Sequence, residues 1–266
     1  MARKKRNNHN NGIIAAVLIV CTVVLRVLGK FDILIVPGGI ARSLIYIALY
    51  IGWGISVYRR IIYAPVRRYM VGVSFLAVFW FMLRTLKYHF VASPNVIRHL
   101  WYGYYVPILF IPLLFAAVSL YLGKSETFRL PIWAKLLLYL PTVLCVLLVL
   151  TNDLHQFVFS FPSGGICTGE SGTYKYEVGY YFIIAWVVVC ALTAFANTLY
   201  KCRLAQRKKY LPVLVLSCSI VYAVIYASGA EWMQIIGGDI TAAQCLMFVG
   251  MLECCIQVGL IPTNTG

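Results

Sequence analysis

The candidates for charged side chains within the lipid are Arg26, Arg42, Arg84 and Glu253. A charge in lipid is costly, so such residues mark function or a specific partner. Polar and aromatic side chains also collect at the ends of neighbouring stretches. Trp80, Arg84, Lys87 and Tyr88 share one helical face at spacings of four and three. Trp101, Tyr104 and Tyr105 share another and precede Pro107, while Thr151-Asn152-Asp153-Leu154-His155 closes a third stretch. Tyr180 and Tyr181 open the next, and Tyr222 and Tyr226 sit one turn apart. Cations, an acid, a histidine and many tyrosines suit a ligand cavity open at one end of a helical bundle. The competing explanation is an interfacial belt, which Trp and Tyr form in any membrane protein, with the arginines snorkelling to the interface. The polar run in TNDLH favours hydrogen bonding to a ligand or a neighbouring helix.

The elements that would position these residues are long apolar blocks. Of 266 residues 62% are hydrophobic and 12% charged, and the mean hydropathy is +0.84. A soluble domain of that size needs far more polar surface. In lipid only helices or a closed barrel satisfy the backbone, and blocks of about 17–22 apolar residues match helices. The expected fold is therefore all-α, a polytopic transmembrane bundle of about eight helices (seven plus one). The blocks run 12–28, 39–58, 70–88, 101–122, 132–151, 179–200, 210–229 and 241–260, with a basic N-terminus at 1–11 and a cytoplasmic linker beginning at 261–266.

Lys and Arg alternate between the connections: sixteen fall on one side and four on the other. The basic side is expected to be cytoplasmic, with both termini there. The first block, short and containing Arg26, competes with a secretory signal, but no small-residue cleavage site follows it. The long external connection is 152–178. Although the formal charge is +15, the basic residues form short clusters between blocks, which signals topology and not nucleic-acid binding. Eight of nine cysteines lie in or beside the blocks and only Cys167 in a long polar loop, so no disulfide framework or CxxC metal site is expected.

The candidate signal-binding set is Arg84, Lys87, Trp101, Tyr104, Tyr105, Asn152, Asp153 and His155. Pro107 and Glu253 are packing or relay positions. Glu253 lies about 13 residues into the last block, roughly 20 Å from its outer end, and needs a proton or a polar partner. Gly237-Gly238-Asp239 lies in an external connection and continues Ile-Thr, unlike a cyclase motif. No HExxH, GxSxG, Walker A or glycine-rich nucleotide loop occurs, and no lysine follows Lys209 for a retinal Schiff base. The expectation is a chain that is not an enzyme and takes no cofactor or metal.

Arg98-His-Leu-Trp-Tyr-Gly-Tyr-Tyr-Val-Pro107, Leu122-Gly-Lys124, Leu150-Thr-Asn-Asp-Leu-His-Gln156 and Leu252-Glu253 through Gly259-Leu-Ile-Pro-Thr-Asn-Thr-Gly266 resemble the seven-transmembrane N-terminal region of bacterial sensor histidine kinases. The resemblance runs from about Arg84 to the end. It implies a sensory input module that detects an external or intramembrane signal and passes it to a cytoplasmic output. The expected partners are the lipid bilayer, a small-molecule or membrane-derived signal, a cytoplasmic kinase or other output domain and, for a kinase-linked sensor, a second copy. The 266 residues hold no phosphoacceptor-histidine segment or ATP-binding domain, so that output lies in a continuation or on a partner. A small transporter or channel and a lipid- or partner-binding scaffold are the alternatives. The apparent lack of internal repeats counts against an inverted-repeat transporter.

Overall fold

The computed structural model describes residues 17–22, 24–25, 35–125, 127–161, 174–203, 210–227 and 240–263. After a helical stretch within 17–25, the helices are α1 (Ile35–Arg60), α2 (Ala64–His89), α3 (Pro94–Gly103), α4 (Tyr105–Tyr121), α5 (Ile132–Leu150), α6 (Asn152–His155), α7 (Val178–Arg203), α8 (Leu211–Ala227) and α9 (Ile240–Gln257). Among the described residues, five segments are long and apolar enough to cross a membrane: Gly39–Arg60, Ala64–His89, Pro94–Tyr121, Ile132–Leu150 and Val178–Lys201. Shorter apolar helices follow at Leu211–Tyr222 and Ala243–Gln257. Arg26, the Gly237-Gly238-Asp239 run and most of the first apolar block lie outside the described residues.

Two helices start before their apolar blocks. Pro65 and Pro94 occupy first-turn positions, where a missing N–H costs no hydrogen bond, and the chain turns helical there although the residues are polar. At 26 residues α2 is roughly 39 Å long. The hydrocarbon is about 30 Å thick. Its two ends, with Arg67, Arg68, Lys87 and His89, therefore extend past the hydrocarbon.

α4 is the central element: 13 of its 17 residues are buried, against three of 19 in α5, and it packs on α2, α5 and α7. α1 pairs with α2, and α8 with α9. Where α1 and α2 cross, Gly54 is required, because a Cβ there would stand 2.4 Å from Ser74 Oγ. That hydroxyl donates to the Tyr50 carbonyl at 2.6 Å, and Tyr46 stacks on Phe81 at 4.9 Å. Interhelical hydrogen bonds lock other pairs. Trp186 Nε1 donates to Thr142 Oγ1 at 2.8 Å between α7 and α5, and Gln244 Nε2 to the Ser219 carbonyl at 3.0 Å between α9 and α8. Such bonds average about 0.6 kcal/mol each in a bilayer, so packing carries most of the association. The outward side of α5 presents Trp133, Leu137, Leu140, Leu144 and Leu147, all exposed and apolar, as a lipid-facing surface must be.

The connection after α5 is not purely a loop. It contains a two-stranded antiparallel ribbon, β1 (Phe159–Ser160) and β2 (Lys175–Tyr176), with Phe159 opposite Tyr176.

Candidate functional site

The polar run after α5 folds into the single turn α6, ended by Gln156 in the left-handed region at φ 47°. Asn152 has no exposed surface. Its Oδ1 accepts the N–H groups of Val158 and Phe159, both at 3.0 Å, and its Nδ2 donates to the Phe159 carbonyl at 2.9 Å and Tyr102 Oη at 3.2 Å. The amide is saturated, so Asn152 holds the turn that leads into β1 and leaves nothing for a ligand.

Asp153 looks the other way, toward α3. Its Oδ1 accepts the Tyr102 hydroxyl at 2.7 Å, and Oδ2 pairs with the Arg98 guanidinium at 3.0 Å. His99 Nε2 lies 3.7 Å from the same oxygen. His99 Nδ1 faces the Asn95 carbonyl at 2.7 Å and must therefore carry a proton, so Nε2 attracts Asp153 only when the ring is doubly protonated. Arg98 also lies 5.6 Å from the Phe161 ring centre, over its face. Asp153 and Arg98 keep 29% and 24% of their side chains exposed, so this ion pair is accessible from outside the bundle.

Aromatic rings wall the same end. Phe159 is fully buried, 4.5 Å from Trp101 and 5.5 Å from Tyr105, and Trp101 also meets Tyr174 at 4.6 Å. Tyr176 stacks on Tyr180 at 4.0 Å, and Tyr176 and Tyr181 expose their outer surfaces. Gly179 makes this approach feasible: a Cβ there would meet the Phe157 ring at 2.6 Å and its carbonyl at 2.8 Å.

The sequence-derived set is divided between two places. Trp101, Tyr105, Asn152 and Asp153 belong to the α3–α6–ribbon cluster. Arg84 and Lys87, at the end of α2, form another with Tyr104. Lys87 is buried, with Nζ 4.9 Å from the Tyr88 ring and 5.8 Å from the Tyr104 ring, and Arg84 lies 5.8 Å from Tyr88. The Tyr104 hydroxyl is buried without a hydrogen-bond partner. Tyr102 and Tyr104 are about 200° apart around the helix, which sends them to opposite sides. Pro107 explains the break between α3 and α4: its ring crowds the carbonyl four residues back, at Gly103, where α3 ends.

His155 joins neither cluster. It is exposed, accepts the Phe157 N–H on Nδ1 at 2.9 Å and meets Thr151 Oγ1 through Nε2 at 3.2 Å, so it closes its own turn. Glu253 lies at the opposite end of the bundle. Arg60 grips both its oxygens at 2.7 Å, and Trp53 Nε1 donates to Oε2 at 3.3 Å. Sequence reasoning counted Arg60 as a loop cation and did not pair it.

Arg98, His99, Tyr102 and Phe159 are site residues that the polar run does not announce. The available signal is the start of α3 at Pro94, which puts Arg98 and Tyr102 one turn apart on a helix. Among the described residues no three His, Cys, Asp or Glu side chains gather as metal ligands. The arrangement offers one ion pair, a tyrosine hydroxyl and aromatic surface, groups suited to binding a polar ligand.

The family model for the N-terminal 7TM region of histidine kinase matches residues 40–255. The match begins well before Arg84 and stops short of the Gly259–Gly266 stretch. It overlaps all seven apolar blocks from 39–58 to 241–260, ending inside the last, and leaves 12–28 outside. No curated protein and no solved structure matches the chain. With a multi-pass helical architecture and most of its length inside that match, the chain belongs to the N-terminal 7TM region of histidine kinase family.

Proposed function

We propose that the chain is the membrane-embedded sensory input of a bacterial two-component signalling protein, receiving its signal at the end that carries Asp153. The family match supports the sensory role. The observation that carries the location is the Arg98–Asp153–Tyr102 network, a partly exposed ion pair joining α3 to the α5–α6 turn. A polar ligand that competes for Asp153 or Arg98 would bind one arrangement of those helices better than the other and shift the population toward it. The end with Asp153 faces outward from the cytoplasmic membrane. The last helix leaves on the cytoplasmic side and acts on a histidine-kinase output domain. A dimer is the expected working form.

The test joins a histidine-kinase catalytic core after Gly266 and reconstitutes the fusion in proteoliposomes. Autophosphorylation is then followed across a panel of small polar ligands and external pH values. Asp153→Asn with Arg98→Gln is expected to abolish or shift the response, while His155→Ala leaves it intact. A response to the same ligand unchanged by the double substitution would overturn this site.

A further inference from the structure

The chain does not leave α9 as a continuing helix. Leu260 N donates to the Cys255 carbonyl at 3.0 Å and Gly259 N to the Ile256 carbonyl at 3.1 Å, with Gly259 at φ +75°. These are the two bonds of a Schellman stop, which needs a left-handed residue at that position. Beyond it Leu260 and Ile261 are buried, Leu260 O lies 3.5 Å from Gly123 N, and Thr263 pairs antiparallel with Ile61. The segment 258–263 is thus folded back against the end of α1 and the connection after α4.

Two consecutive residues of α1 and its exit hold this arrangement. Arg60 grips Glu253 of α9 through two 2.7 Å bonds, with Trp53 as a third donor, and Ile61 takes the strand bridge to Thr263. The ion pair is three-quarters buried, at 22% and 26% side-chain exposure. A parted pair would leave a carboxylate at the edge of the hydrocarbon, so partial opening is unfavourable and the contact is either made or lost together with a shift of α9.

We propose that Arg60, Trp53 and Glu253 form a clasp that keeps residues 258–263 docked, and that opening it releases this segment. The inference does not depend on where a signal binds.

The test is a cross-link in the full chain in liposomes. Ile61→Cys with Thr263→Cys places two thiols across an antiparallel pair, within the Cα separation a disulfide spans. Mild oxidation is followed in time, and the linked peptide is identified by mass spectrometry apart from the native cysteines. Rapid linkage is expected, slowed roughly ten-fold by Glu253→Gln, the scale of losing charge-assisted hydrogen bonds. The exchange Arg60→Glu with Glu253→Arg is expected to restore part of the rate. Failure of the parent pair to link, or equal rates with and without Glu253→Gln, would overturn the clasp. If Glu253→Gln lowers the yield of folded protein, Trp53→Phe removes a single donor; a two- to three-fold slowing supports the clasp and an unchanged rate sinks it.

Discussion

Asn152 and His155 stand three residues apart in one polar run, yet their surroundings give them opposite weights. Asn152 makes four hydrogen bonds with no exposed surface, so Asn152→Ala strands two buried backbone donors and takes a donor from the Phe159 carbonyl, while Tyr102 keeps its bond to Asp153. A cost of about 2–4 kcal/mol is expected, seen as a large drop in thermal midpoint in detergent. His155→Ala removes only exposed contacts and is expected to stay within about 0.5 kcal/mol. Equal losses from the two would contradict this division of roles. The sequence made the polar run conspicuous because polar residues at a helix end in lipid demand partners. It did not separate Asn152 from His155, since only the tertiary fold brings the Val158 and Phe159 amides to one of them. Arg98 was hidden for a different reason: before an apolar block, a cation reads as a loop residue until the helix start at Pro94 is known.

The apolar blocks were legible as helices because the hydrocarbon dictates their composition residue by residue. Helix ends outside the hydrocarbon obey capping and tertiary contacts, so Ala64 and Pro94 were not visible as starts, and a ribbon of two-residue strands has too short a period to register. Contacts between helices were hidden as well. Gly54 reads as a weak point in a helix and is in fact a place where α2 packs tightly on α1. Gly54→Ala puts a methyl 2.4 Å from Ser74 Oγ, forcing the helices apart or breaking the Ser74–Tyr50 bond. The expected cost is about 1–3 kcal/mol of stability. Ser74→Gly in the same chain removes both offending atoms and is expected to recover part of that loss. A Gly54→Ala protein as stable as the parent would mean the two helices do not approach this closely.

At the scale of the whole molecule, the two ends of the bundle differ in charge and in what they join. Arg59, Arg67, Arg68, Lys124, Arg129, Lys135 and Lys201 gather at the end that carries the Arg60–Glu253 pair, whereas the other end has Arg84, Lys87, Arg98 and Lys175, with Asp153 and Glu177 among them. The positive-inside tendency is the argument for the proposed orientation, with Asp153 outward. Impermeant maleimide decides the matter in intact bacterial cells, starting from a Cys167→Ser background. Leu154 is 86% exposed at one end and Thr127 is exposed at the other. Leu154→Cys is expected to label in intact cells, and Thr127→Cys only after permeabilisation. Cysteines facing the hydrocarbon label slowly in both conditions, because the reactive thiolate is disfavoured there. The reverse pattern would turn the bundle over, placing the ion pair of Arg98 and Asp153 in the cytoplasm and the clasp outside. In that case an external signal would have no route to the Asp153 site, and the proposed direction of signalling would fail with it.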